Sequence, residues 1–167
     1  RLGVHVSFSP VLDINTNPKN PIINARSFGQ NRERVTAHGL SMMNGLQQAG
    51  VLACGKHFPG HGDTDVDSHK SLPVVAHDST RLAQVELYPY QTLIDGGLAS
   101  IMVAHLNVPA LDATGTAASL SPKMVTGMLK NTMGFKGLIF TDALNMKGVS
   151  ANLAPGDVDL EAFKAGN

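Results

Sequence analysis

Tryptophan is absent from the 167 residues, and only 5% of them are aromatic. A flat indole platform for stacking a ligand ring is therefore excluded within this chain, and that role falls to a few Phe and Tyr side chains. The single cysteine, Cys54, excludes an internal disulfide; it sits in an apolar run and reads as a small core residue. An excess of either charge is also missing. Thirteen Lys and Arg balance thirteen Asp and Glu, which leaves no basic surplus to suggest nucleic-acid binding. No apolar run approaches the roughly 18 residues of a membrane span, and the first residues carry no signal-peptide pattern. What remains is ordinary globular material, 43% apolar and 16% charged, enough for one domain with a real core.

Four short, mostly continuous apolar runs read as buried parallel strands: residues 4–9, 51–58, 100–105 and 138–142. Helical patterns follow each. Residues 31–48 carry Val35, Leu40, Met43 and Leu46 at helical spacing and end at Gly50. Residues 78–94 carry Leu82, Val85 and Leu93, with Asp78 or Ser79 as cap and Gly96-Gly97 as stop. Ser121-Pro122 opens a third helix through Met124, Val125, Met128 and Leu129, and residues 157–165 form a fourth. Strand alternating with helix predicts an α/β fold with a parallel sheet. Four such units make either an open doubly wound sheet or about half of a (β/α)8 barrel, since a whole barrel takes about 250 residues. No Gly-x-Gly-x-x-Gly turn follows any strand, so a dinucleotide fold has no support. Neither end carries a polar tail, and residues 1–167 are expected to be the central part of a larger catalytic barrel, with the rest of that domain outside this chain.

The polar residues favour the barrel. Lys56-His57 closes the second strand, His105 the third and Asp142 the fourth, while Asp13 and Arg26 lie in the loop after the first. Buried strands have no reason of stability to end in charge, whereas the strand C-termini of a barrel build its active site.

The second strand runs into Lys56-His57-Phe58-Pro59-Gly60-His61-Gly62-Asp63-Thr64-Asp65-Val66-Asp67-Ser68-His69. Asp67 and His69 are two residues apart. In an extended segment they share a face, so Asp67 can accept from one ring nitrogen of His69 and leave the other to move a proton. Asp142 adds a lone carboxylate at a strand end. A carboxylate and a proton shuttle are the minimum set for double-displacement glycoside hydrolysis, although spacing alone leaves other chemistries open. Asp63-x-Asp65-x-Asp67 imitates the start of a calcium loop but has Ser68 and Val74 where Gly and Glu are needed. His57 and His61 have zinc-ligand spacing but are separated by Pro59-Gly60. A metal-dependent barrel hydrolase on His57, His61, Asp67 and His69 stands as an alternative. Ser68 lacks the Gly-x-Ser-x-Gly elbow of a serine nucleophile.

The Lys56–Asp63 run with Asp67-Ser68-His69 resembles glycoside hydrolase family 3, specifically its bacterial β-N-acetylglucosaminidase branch. Phe8-Ser9-Pro10-Val11-Leu12-Asp13, Ala25-Arg26-Ser27-Phe28-Gly29 and residues 137–146 (Gly-Leu-Ile-Phe-Thr-Asp-Ala-Leu-Asn-Met) extend the resemblance over almost the whole chain. It implies a retaining exo-acting enzyme on a (β/α)8 barrel, present here as about four βα units, acting on N-acetylglucosamine-containing saccharides such as cell-wall-derived amino sugars. By resemblance, Asp142 is the nucleophile, His69 the acid/base and Asp67 its orienting partner, while Arg26, Lys56 and His57 hold sugar hydroxyls. No cofactor, metal or nucleic-acid partner is implied. A non-catalytic carbohydrate-binding fragment is the remaining alternative.

Other residues take supporting readings. His105 and Met146 are placed at the pocket wall, and Asp13 is read as a support for Arg26. Gly60 and Gly62 are read as hinges that swing His69. His38 is expected to be solvated on a helix face and His5 satisfied within the first strand.

Overall fold

The computed structural model describes residues 3–66, 71–150, 153–154 and 156–167. Four strands, β1 (Val6–Ser7), β2 (Leu52–Phe58), β3 (Ser100–Val103) and β4 (Leu138–Thr141), form one sheet in the order β1-β2-β3-β4. All pairings are parallel, with Val6 opposite Leu52, Cys54 opposite Ser100 and Val103 opposite Thr141. Each strand lies beside its successor, and the order never reverses. A doubly wound sheet reverses at a switch point; an unbroken order is what consecutive units of a (β/α)8 barrel require. All four strand C-termini therefore open on the same rim.

The connections are α1 (Arg32–Gln48), then α2 (Ser79–Gln84) with α3 (Tyr88–Asp95), then a π-helix (Lys123–Thr132). Beyond β4 come α4 (Lys147–Ser150) and α5 (Asp157–Ala165). Asn31 caps α1 by accepting from the Arg34 N–H at 2.8 Å. The helix then presses Gly39 onto Leu12, where a methyl group would sit 2.6 Å from Leu12 Cδ2. One cluster, including Leu12, Met43, Phe58, Leu93, Ile101, Val103 and Leu129, joins sheet to helices, and Cys54 is buried within the sheet.

Three elements differ from expectation. The helix read over residues 78–94 is two helices, because Pro89 has no N–H for a carbonyl four residues back and its ring crowds that carbonyl. The chain breaks before Tyr88 and restarts with the proline in the first turn of α3. Asp78 caps α2 as expected, accepting from the Arg81 N–H at 2.8 Å. The third helix has π rather than α geometry. The first strand is only two residues long, and Val4 and Phe8 are exposed, so it lacks the two covered faces its composition suggested. His5 is exposed rather than satisfied inside, while His38 is exposed on the face of α1 as expected, its ring stacked on Phe28 with centroids 5.2 Å apart. Among the described residues no helix is long and apolar enough to cross a membrane.

Tyr90 is fully buried edge-on against Phe58, at 5.3 Å between ring centroids. Its hydroxyl has no hydrogen-bond partner among the described residues, and burial pushes the phenol well above its ordinary range. Tyr90→Phe removes an unsatisfied polar atom and keeps the ring, so it is expected to stabilise the fold by about 1 kcal/mol in urea denaturation. A loss of stability would contradict the assignment.

Candidate active site

The strand ends surround one cavity of about 450 Å³. Lys56 and His57 reach it from the end of β2, and Asp142 reaches it one residue beyond β4. Arg26 arrives from a short 3-10 turn, Asn24–Arg26, in the loop after β1. Phe8, Ile22, Met102 and Met146 supply an apolar wall. Five residues assigned to the site from sequence (Asp142, Arg26, Lys56, His57 and Met146) thus line one cavity although they span 121 positions of chain. Asp67 and His69 lie outside the described residues.

Asp142 is held by its backbone. Its N–H donates to the Val103 carbonyl at 2.9 Å, extending the β3–β4 ladder, and its Oδ1 accepts from the Ala143 N–H at 2.8 Å. Half-buried Lys56 is drawn below the ordinary lysine range by burial and then by the neighbouring Arg26 charge, with Asp142 and Asp13 opposing the shift. Two cationic donors and a carboxylate therefore face one space. Such a site can grip a polyhydroxylated group through the donors while the carboxylate attacks an electrophilic carbon between them.

Behind this wall lies Asp13, fully buried and absent from the cavity lining. Its carboxylate accepts from His57 Nδ1 at 2.6 Å, from the His57 N–H at 3.2 Å and from the His61 N–H at 2.6 Å. Burial alone would raise this carboxyl. The interactions with the His57 ring, together with the His61 N–H, outweigh burial and hold it below the usual range. Arg26 Nη2 lies 3.3 Å from His57 Nε2. Asp13 was expected to support Arg26, and the structure makes that contact through the His57 ring.

His105 does not line the cavity. Its ring is buried, with Nδ1 2.6 Å from Ser119 Oγ and Nε2 3.0 Å from the Ala143 carbonyl. It braces the peptide after Asp142 and is absent from the cavity lining where the sequence placed it. A strand-end histidine followed by core residues looks the same in sequence whether it faces the cavity or the peptide behind it.

The loop after β2 is stitched to residues 14–20. Asp63 Oδ1 accepts from Thr16 Oγ1 at 2.7 Å, Asp65 Oδ1 from Asn17 Nδ2 at 2.5 Å, and the His61 carbonyl from Asn20 Nδ2 at 2.7 Å. Asp63 Oδ2 also pairs with His77 Nε2 at 2.5 Å. Both carboxylates are thus engaged by neighbouring side chains. His61 Nδ1 lies 2.6 Å from Thr64 Oγ1, and burial lowers this imidazole's pKa despite the nearby Asp13 charge. Among the described residues no group of three or more His, Cys, Asp or Glu side chains is placed to hold a metal ion.

Gly60 and Gly62 are not hinges in this arrangement. Gly60 has φ +143° and packs against Glu86, and Gly62 lies against the Ile14 peptide so closely that a Cβ would overlap its carbonyl. Both are buried, which is the signature of close approach rather than of swing. Sequence reasoning also missed Phe8, Ile22, Met102, Thr141 and Ala143 as lining residues, and had His61 only as a candidate metal ligand. For the apolar ones no signal was available, because a wall and a core demand the same side chains.

Residues 1–167 match the model of the "Glycosyl hydrolase family 3 N terminal domain". A curated relative, "Beta-hexosaminidase A" of Pseudoalteromonas piscicida, is 42% identical over 176 residues, covering 99% of this chain and 29% of that protein. A solved glycoside hydrolase family 3 beta-N-acetylglucosaminidase from Paenibacillus sp. str. FPU-7 superposes with TM-score 0.97 at 42% identity, over 99% of this chain and 31% of that one. NagZ from Neisseria gonorrhoeae, solved in complex with N-trifluoroacetyl-D-glucosamine, gives TM-score 0.83 at 35% identity, over 96% of this chain and 45% of that one. The chain thus spans under a third of the first two.

Proposed function

This chain belongs to glycosyl hydrolase family 3, and from that premise we propose that it is the central part of the catalytic barrel of a retaining exo-β-N-acetylglucosaminidase. The observation that carries the proposal is the convergence of Asp142, Arg26, Lys56 and His57 on one cavity of about 450 Å³. The names of the Pseudoalteromonas and Paenibacillus relatives support the substrate class, terminal β-linked N-acetylglucosamine.

In this reading Arg26 and Lys56 donate to sugar hydroxyls. Neither side chain accepts a hydrogen bond, so both fix the pose without competing for the proton in transit. An Asp142 oxygen attacks the anomeric carbon as the glycosidic C–O bond breaks, and the departing oxygen takes a proton from His69, whose other ring nitrogen donates to Asp67. A covalent glycosyl-enzyme results. Water, losing its proton to the now neutral His69, attacks the same carbon and releases Asp142. Two inversions give net retention.

The test is cleavage of a chromogenic β-N-acetylglucosaminide by the full-length protein, with NMR of the first-formed sugar. The β anomer is expected to appear first. An initial α anomer, or no cleavage, would overturn the reading.

A further inference from the structure

Resting on that reading for its kinetic consequence, we propose that Asp13 is a positioning residue that sets the tautomer of His57 and thereby aims Arg26 at the substrate. No substrate contact is open to Asp13: it is fully buried and lies outside the cavity lining. It acts through a relay whose direction follows from the chemistry of its members.

An ionised carboxylate only accepts hydrogen bonds. The 2.6 Å contact between Asp13 Oδ2 and His57 Nδ1 therefore places the proton on Nδ1. In the neutral ring this makes Nε2 the acceptor. The group facing Nε2 at 3.3 Å is Arg26 Nη2, a guanidinium nitrogen that only donates. Donor meets acceptor at both ends, and only this tautomer allows it. The opposite tautomer would set Nε2–H against a guanidinium N–H and leave Nδ1 facing carboxylate lone pairs.

The anchor is rigid. The same carboxylate also takes the His57 and His61 N–H groups, the latter at 2.6 Å, so one side chain ties the loop after β1 to His57 at the end of β2 and to His61 in the loop beyond it. Ser27 Oγ donates to the Asp13 carbonyl at 2.6 Å, fixing the peptide next to Arg26 to the same residue. Arg26 itself is exposed, and its other side-chain hydrogen bond, to the Ile22 carbonyl, is long at 3.5 Å. Its direction therefore depends on the His57 lone pair.

Asp13→Asn keeps the shape and reverses the chemistry, because an amide NH2 turned toward His57 Nδ1 donates and selects the Nε2–H tautomer. In the full-length protein, KM for the chromogenic substrate is expected to rise about tenfold or more while kcat changes less than about threefold, since an interaction common to ground and transition states is lost. In an Arg26→Ala background the same change is expected to add less than about twofold to KM, because the relay then has nothing to aim. Nitrogen-15 NMR of the histidine rings supplies an independent readout in the unmutated protein, where His57 is expected to carry its proton on Nδ1. Finding it on Nε2 would overturn the inference even if Asp13→Asn failed to fold. So would an unchanged KM, or an equal KM effect with and without Arg26. If the unmutated protein cleaved no β-N-acetylglucosaminide, the proposed function would fail while the tautomer measurement still decided the role of Asp13.

Discussion

Replacing Asp142 by alanine is expected to lower turnover by roughly 10⁴- to 10⁶-fold, the scale on which removal of a covalent nucleophile is felt. The fold should survive. Asp142 is tied into the sheet by its backbone N–H on Val103, which alanine retains, and its side chain makes one local bond to the Ala143 N–H. Thermal unfolding of Asp142→Ala should therefore overlay that of the unmutated protein. Added azide separates a nucleophile from a merely supporting carboxylate. It occupies the vacated space, attacks the anomeric carbon once and yields a glycosyl azide of inverted configuration. Ordinary product at more than about a hundredth of the normal rate would remove Asp142 from the proposed role.

Gly62→Ala is expected to destabilise the fold by about 3 kcal/mol or more in chemical denaturation. The added methyl group has no flexible neighbour to displace: it meets the carbonyl, carbon and nitrogen of Ile14, all backbone. To make room, the loop after β2 must lift off residues 14–20, and the bonds from Thr16, Asn17 and Asn20 lengthen together. The His61 N–H would leave Asp13 in the same movement, so substrate binding should weaken as well. Gly45→Ala is the control. That glycine lies within α1 with nothing near its missing Cβ, and alanine there should stabilise by up to about 1 kcal/mol. A Gly62→Ala protein as stable as its parent would mean that the loop is not seated on the Ile14 peptide.

The sheet was legible because buried strands and charged strand ends are conflicting signals that only a functional rim reconciles. Lys56, His57 and Asp142 stood out for that reason, and all three line the cavity. The helix over residues 78–94 was misjudged although Pro89 stood in plain view; the apolar spacing outweighed it in the reading, while in the chain the missing N–H decided. Asp13 was harder. Its partners lie 44 and 48 positions away, and a buried carboxylate bonded to them leaves no local pattern. Gly60 and Gly62 were legible as special positions but not in their purpose, because freedom of φ and lack of bulk serve hinge and close contact alike. His105 shows the same limit, since only coordinates reveal that its Nε2 faces the Ala143 carbonyl.

The central claim, that Asp142 forms a covalent bond to the sugar, is open to direct measurement. The full-length protein would be incubated with a fluorinated N-acetylglucosaminyl fluoride that reacts quickly and is released slowly, digested, and mapped by tandem mass spectrometry. The account predicts one added sugar mass, localised to Asp142 in the peptide containing residues 137–146. A protein that turns over substrate yet carries the adduct on another residue would contradict it.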